Sequence, residues 1–246
     1  MSDVYPGAVT APRVAYQEVA SQLREQILAG DLSAGDRLPT EAELCGKFGV
    51  SRSTIREALR MLSSQGLVMT SRGVGGGSSI AQLEHQDISD MLRDSIVLLT
   101  RSEGASVAEL LEARDLLEVP AARLAAARRT PEQLDRLRET IPASLDKLDP
   151  GRIFQVNRSF HDVILDMTGN RLLHVVTEPL FSVMQSRFLR DRANRAFWGE
   201  VMADHAAILD AVAEGDAERA GSEMAAHLAH LRTTYEAIDV KVRAGR

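Results

Sequence analysis

The glycine-rich stretch RGVGGGSS, Arg72 to Ser79, divides this chain into two parts of different character. So many glycines lose too much backbone entropy to sit inside a helix, and the segment reads as a flexible tip. Before it come short helices and a pair of β-prone runs. From about His85 onward the apolar residues recur at helical spacing with no strand alternation. That spacing predicts helices over 86–101, 106–128, 131–148, 150–167, 170–192, 195–213 and 216–240. Pro131, Pro150-Gly151, Gly169-Asn170 and Gly215-Asp216 mark breaks between them. No fixed period runs through these segments, so the texture is that of a helical bundle and not of a repeat array.

The front part has more internal punctuation. Tyr16, Val19, Leu23 and Ile27 fall at helix spacing, and the run stops at Gly30. Thr40, with Glu43 three residues later, is a capping box for a short helix ending at Gly49. Ser51 then serves as the N-cap of a further helix with Ile55, Ala58, Leu59 and Leu62 on one face. Its first turn carries Arg52, Ser53, Thr54 and Arg56. A capped helix, a turn with glycine and a polar-fronted helix follow the helix-turn-helix plan. Guanidinium groups can pair with phosphates or take guanine O6 and N7 bidentately, and hydroxyls and free N–H groups can donate to phosphate oxygens. LVMTSRGVGGGSSIA then reads as a hairpin wing whose glycines permit close approach to a sugar-phosphate backbone, with Arg72 at its tip. An isolated helix-turn-helix pattern is a weak signal; the whole order of elements is a strong one.

Residues 13–80 resemble the winged-helix domain of the GntR family of bacterial transcription regulators. The resemblance is carried by GDRLPTEAELCGKFGVSRSTIREALRMLSSQGLV and the glycine wing. It implies DNA contacts at Arg52, Ser53, Thr54 and Arg56 on the recognition helix and at Arg72 and Gly73 on the wing. The family commonly carries an arginine after LP-x-E, where this chain has Ala42, which implies a different affinity or base preference.

Charge supports the same division. The chain of 246 residues has a net charge of −6, but residues 10–80 hold eight Lys/Arg against seven Asp/Glu, whereas 81–246 hold 21 against 27. A near-neutral front can bind DNA if its cations share a face; an acidic back is a poor polyanion binder. Cys45 is the only cysteine, so no intrachain disulfide forms and a reducing compartment fits. The first residues carry no basic region followed by an apolar core, and no run approaches a membrane span. The expected address is the cytoplasm, with no membrane partner.

Three histidines in the back part share apolar faces: His161 with Phe160, Ile164 and Leu165; His205 with Ile208, Leu209 and Val212; His227 with Met224, Leu228 and Leu231. His174 and His230 fall on faces that look more exposed. One inward histidine is ordinarily a satisfied core residue. Three on three helices, with Asn157 one turn before His161, point to a convergent site, and a divalent transition metal satisfies three neutral imidazoles at once. Arg114 also lies on an apolar stripe and wants an anion, either Glu118 or a ligand. Arg158, Arg187, Arg190 and Trp198 are further pocket-lining candidates.

Residues 85–235 resemble the all-helical effector domain, called FCD, of the FadR subgroup of GntR regulators. LLEARDLLEVPAARLAA, NRSFHDVILDMTGN, DHAAILDAVAEGDAERA and EMAAHL carry the resemblance. It implies a metal held by an Asp-x-x-x-His helix and two later histidines, here Asn157, His161, His205 and His227. The ion would be zinc, nickel or manganese, one per chain. It further implies Arg114 as the partner of a small carboxylate effector.

The expected fold is mainly α: an N-terminal winged helix-turn-helix with a small β-hairpin wing, then a C-terminal all-helical antiparallel bundle. The expected divisions are a flexible tail at 1–9, the DNA-binding domain at 10–80, a linker at 81–84 and an effector-binding and dimerisation domain at 85–246. The function expected is a homodimeric regulator, by default a repressor, that binds double-stranded operator DNA under control of a small organic acid. Two rivals stand beside it: a metal-dependent hydrolase, and a regulator with a purely structural metal site. The hydrolase would need a base beside the metal, yet helix spacing turns Asp162 and Asp204 away from the inward face, and no H-E-x-x-H occurs.

Overall fold

A computed structural model describes residues 11–71, 76–102, 105–184 and 194–244. The chain forms two compact units, Met1–Glu84 and His85–Arg246.

In the first unit, α1 (Ala11–Ala29), α2 (Glu41–Phe48) and α3 (Arg52–Ser64) precede the strands β1 (Val68–Ser71) and β2 (Gly77–Ile80). Capping sets the helix starts. The Thr40 hydroxyl accepts from the Glu43 amide at 3.3 Å, and Glu43 accepts from the Thr40 amide at 2.8 Å. Gly49 ends α2 in the left-handed conformation, φ 65°, which costs a residue with a Cβ about 1–2 kcal/mol. Ile55, Ala58, Leu59 and Leu62 turn one face of α3 into a core that includes Val19 and Leu23 of α1, Leu44 of α2, and Val68 and Ile80 of the hairpin. The strands pair antiparallel, Val68 opposite Ile80 and Ser71 opposite Gly77. Thr40→Ala removes the side-chain half of the capping box and is expected to speed exchange of the first α2 amides about fivefold, measured by native-state hydrogen exchange.

The second unit is built of α4 (His85–Arg101), α5 (Val107–Arg128), α6 (Pro131–Glu139), α7 (Pro150–Met167), α8 (Arg171–Met184), α9 (Arg195–Glu214) and α10 (Ala217–Ala244). Helix α5 is central and packs against α7, α8, α9 and α10, while α4 lies along α8. Ala121, Ala122, Ala125 and Ala126 are fully buried, so this small-residue face of α5 is taken up by packing inside the unit.

Two expectations need correction. Helix α6 stops at Glu139 and does not run to 148, because Pro142 has no N–H to donate and disfavours a helical Ile141 before it. The face of α8 beside His174 is not open: α4 covers it, and Thr177 and Glu178 are buried. Among the described residues no helix is long and apolar enough to cross a membrane.

Candidate functional site

The first turn of α3 projects from the front unit. Ser51 caps it, accepting from the Thr54 amide at 3.2 Å, and its hydroxyl also lies 2.8 Å from those of Ser53 and Thr54. Arg52, Ser53 and Arg56 are exposed, and Thr54 is half-buried. Arg56 has only a loose contact with Glu41, 3.9 Å, so little holds its guanidinium to the protein. Ala42 is exposed on α2. Arg72 and Gly73 lie outside the described residues.

In the helical unit α7, α9 and α10 bring three imidazoles together. One nitrogen from each of His161, His205 and His227 lies within 4.8 Å of the others, and all three side chains are buried. The ring centroids are 4.9–5.4 Å apart. Asn157, on the same face of α7 one turn before His161, is buried as well. Several polar atoms here lack a hydrogen-bond partner: Asn157 Oδ1, both nitrogens of His205 and Nε2 of His227. A buried polar atom left unpaired costs about 1–3 kcal/mol, so each of these atoms calls for a partner, whether an ordered water or a bound group.

Each ring is held by different means. The ring of His205 stacks on Phe160, centroids 3.8 Å apart and nearly parallel at 7°. Nδ1 of His227 lies 3.1 Å from Oδ2 of Asp204. Nδ1 of His161 lies 2.8 Å from Oε2 of Glu118, although the carboxylate sits off the line of the ring's N–H. Glu118 is in turn clamped by Arg114, whose Nε and Nη2 donate to it at 2.5 and 3.2 Å. The Arg114 guanidinium is fully buried and lies 5.1 Å over the Phe181 ring, close to the ring of His161. So Arg114 has found its internal carboxylate, and the buried Tyr235 hydroxyl is a further neighbour of its guanidinium.

Burial favours the neutral form of two of the rings. Burial pushes His205 well below the ordinary histidine value, and the neighbouring His227, His161 and Arg114 push it the same way. Burial lowers His227 to about 4, against the opposing pull of its bond to Asp204. Neutral imidazole is the form that ligates a metal. Burial opposes ionisation of Glu118, but the charge of Arg114 and the adjoining His161 outweigh it and hold the carboxyl far below the usual range.

The other candidates lie differently. Arg158 pairs with Glu178 and, at 3.6 Å, with Asp162. Trp198 is buried in the core, and Arg187 and Arg190 lie outside the described residues. Asp204 does leave the inward face, yet it reaches two histidines of α10. Its partnership was hidden because it depends on how α9 and α10 are apposed. His230 is half-buried and paired, not merely exposed.

A winged helix whose recognition turn is cationic, followed by an all-helical unit with three histidines gathered in its core, fits one class: DNA-binding transcription regulators. Residues 15–76 match the family described as bacterial regulatory proteins, gntR family, and residues 109–230 match the FCD domain. The chain is 30% identical over 236 residues to the putative L-lactate dehydrogenase operon regulatory protein of Escherichia coli K12, covering 94% of this chain and 90% of that one. It is 32% identical over 208 residues to the HTH-type transcriptional regulator LutR of Bacillus subtilis, covering 82% and 92%. A solved GntR structure from Streptococcus agalactiae superposes with a TM-score of 0.55 at 25% identity, covering 89% of this chain and 99% of that one. The chain therefore belongs to the gntR family of bacterial regulatory proteins and carries an FCD effector domain; its relatives are regulators, not enzymes.

Proposed function

We propose that this chain is a metal-containing regulator of the FadR subgroup whose operator affinity is controlled by a small organic acid, with repression released when the acid binds. The observation that supports it is the set of buried, unpartnered donors on α7, α9 and α10. Asn157, His161, His205 and His227 would hold one divalent transition ion. When bound, the ion supplies positive charge and a coordination position for a carboxylate. The three imidazoles and the carboxamide are neutral ligands, so none of them cancels that charge. Arg114, buried beside the cluster, is assigned to the acid's carboxylate. The name of the Escherichia coli relative, which links that protein to a lactate dehydrogenase operon, favours a small acid as the effector class here. Control requires the acid to bind two conformations unequally, since equal binding shifts nothing.

The test is elemental analysis of protein purified without chelator, followed by gel shifts on the gene's own upstream DNA with candidate acids. About one equivalent of zinc, nickel or manganese per chain, and a mobility shift relieved by an acid, are expected. A metal-free protein whose DNA binding ignores every acid would overturn the reading.

The reading head makes its own prediction. Arg52→Ala and Arg56→Ala should each weaken operator binding about tenfold, and a phosphate-contacting arginine should lower the salt dependence by about one unit. Fluorescence anisotropy across a salt series measures both.

Operator reading by this family's plan uses two heads, which calls for a homodimer. The exposed apolar side chains Met91, Leu98 and Leu99 of α4 and Leu172 of the adjoining α8 are the face we assign to the second copy. Leu98, 67% exposed, makes no large contribution to the unit's own core. Leu98→Glu is therefore expected to weaken self-association at least about tenfold in sedimentation equilibrium without unfolding the chain.

A further inference from the structure

Two helical turns interlock at the rim of the histidine cluster. On α9, Glu200 and Asp204 stand one turn apart; on α10, His227 and His230 do the same. Oδ2 of Asp204 lies 3.1 Å from Nδ1 of His227 and 2.8 Å from Nδ1 of His230. Nε2 of His230 lies 3.0 Å from Oε2 of Glu200. The series runs from solvent to core: the side chains of Glu200, His230, Asp204 and His227 are 64%, 32%, 29% and 0% exposed.

An ionised carboxylate only accepts hydrogen bonds, so a ring nitrogen facing one must carry the proton. His227 therefore holds its proton on Nδ1, which leaves the lone pair on Nε2, the buried atom with no partner. A tautomer fixed in this way aims the ligand at a metal and raises its basicity. Asp204, however, is nearly one-third exposed, so water competes for its oxygens. What keeps its oxygen on His227 is His230, whose two nitrogens both face carboxylates and so fix its ring at both ends. The opposite side of the cluster is built in the same way: Arg114 clamps Glu118, and Glu118 lies beside Nδ1 of His161. On each side a second group holds a carboxylate in place beside a ligand imidazole.

We propose that His230 is a positioning residue of the metal centre: through Asp204 it sets the tautomer and aim of His227 without touching the ion. The inference rests on the metal reading above.

The test uses the full chain as wild type, His230→Ala and His230→Asn. The amide nitrogen of asparagine can stand where imidazole Nδ1 stands, so Asn keeps the donor to Asp204 and loses only the contact with Glu200. Zinc affinity is measured by chelator competition, and the His227 tautomer by long-range proton–nitrogen NMR on metal-free protein. His230→Ala should weaken zinc about tenfold, within the range for outer-shell partners of a ligating histidine, and shift His227 toward the Nε2-protonated form. His230→Asn should recover most of both; circular dichroism confirms that each variant is folded. Wild-type affinity and tautomer in His230→Ala would overturn the positioning role while leaving the metal reading intact. A wild type that takes no zinc, nickel or manganese would overturn both.

Discussion

His205→Ala is expected to reduce the metal content from about one equivalent per chain to near zero and to abolish the response of operator binding to organic acids. The ring contributes little else that the fold would miss. Both of its nitrogens lack hydrogen-bond partners, so removing them breaks no bond and relieves the burial of two polar atoms. The stacking on Phe160 at 3.8 Å is lost, and the space left behind costs stability in the other direction. The metal-free proteins should therefore be of similar stability. The difference appears on adding ion: at a free concentration about 100 times its dissociation constant, a ligand that binds only the folded state adds about 2.7 kcal/mol. Wild type should show that gain in thermal or denaturant unfolding, and His205→Ala should show none. A variant that still takes up a full equivalent and still releases DNA on adding acid would remove His205 from the site.

Glu118→Ala is expected to cost about 3–5 kcal/mol, the usual penalty for stripping a buried ion of its partner. Arg114 is fully buried, and Glu118 is the carboxylate that its Nε and Nη2 meet. Replacing both residues with apolar ones of similar volume should cost far less than the single change, because it leaves no uncompensated charge. The pH dependence has a definite sign. The folded-state carboxyl of Glu118 is held far below its ordinary value of 4.5, with burial opposing and the charge of Arg114 prevailing. A depressed carboxyl contributes stability that is complete above the unfolded value and is lost as pH falls from there toward the folded one. Urea unfolding should thus show the full gap between wild type and Glu118→Gln at pH 7. The gap should narrow steadily below about pH 4.5. A gap unchanged in acid would mean that Glu118 is not the ionised partner of Arg114.

The two variants probe different layers of one assembly. His205 presents unsatisfied nitrogens to the centre. Glu118 anchors Arg114 and flanks His161, so its loss should also lower metal retention, but as a consequence of a loosened core. Metal content measured alongside stability separates the two effects.

Much of this architecture is local, and local features are legible in sequence. A capping box needs only Thr40 and Glu43, because both hydrogen bonds close within one turn. The burial of His161, His205 and His227 follows from the 3.6-residue period, since each shares its face with apolar neighbours a turn away. The early end of α6 was also local; Pro142 carried the signal, and the apolar spacing beyond it masked it. Arg114 is the intermediate case. Glu118, one turn on, was in reach, but whether the guanidinium would turn to it or to a ligand depended on what closed over that stripe.

The periodicity of the chain determined which faces point inward, which residues start and stop the helices, and that a cationic turn fronts the recognition helix. Only the tertiary structure decided that three inward histidines meet at a single point, and that Asp204, at the edge of its own helix face, reaches across to His227 and His230. The physical reason is range. Backbone hydrogen bonding and side-chain burial repeat over three or four residues and are written along the chain. A contact between α9 and α10 depends on the rotation and offset of two packed helices, which the whole core sets together.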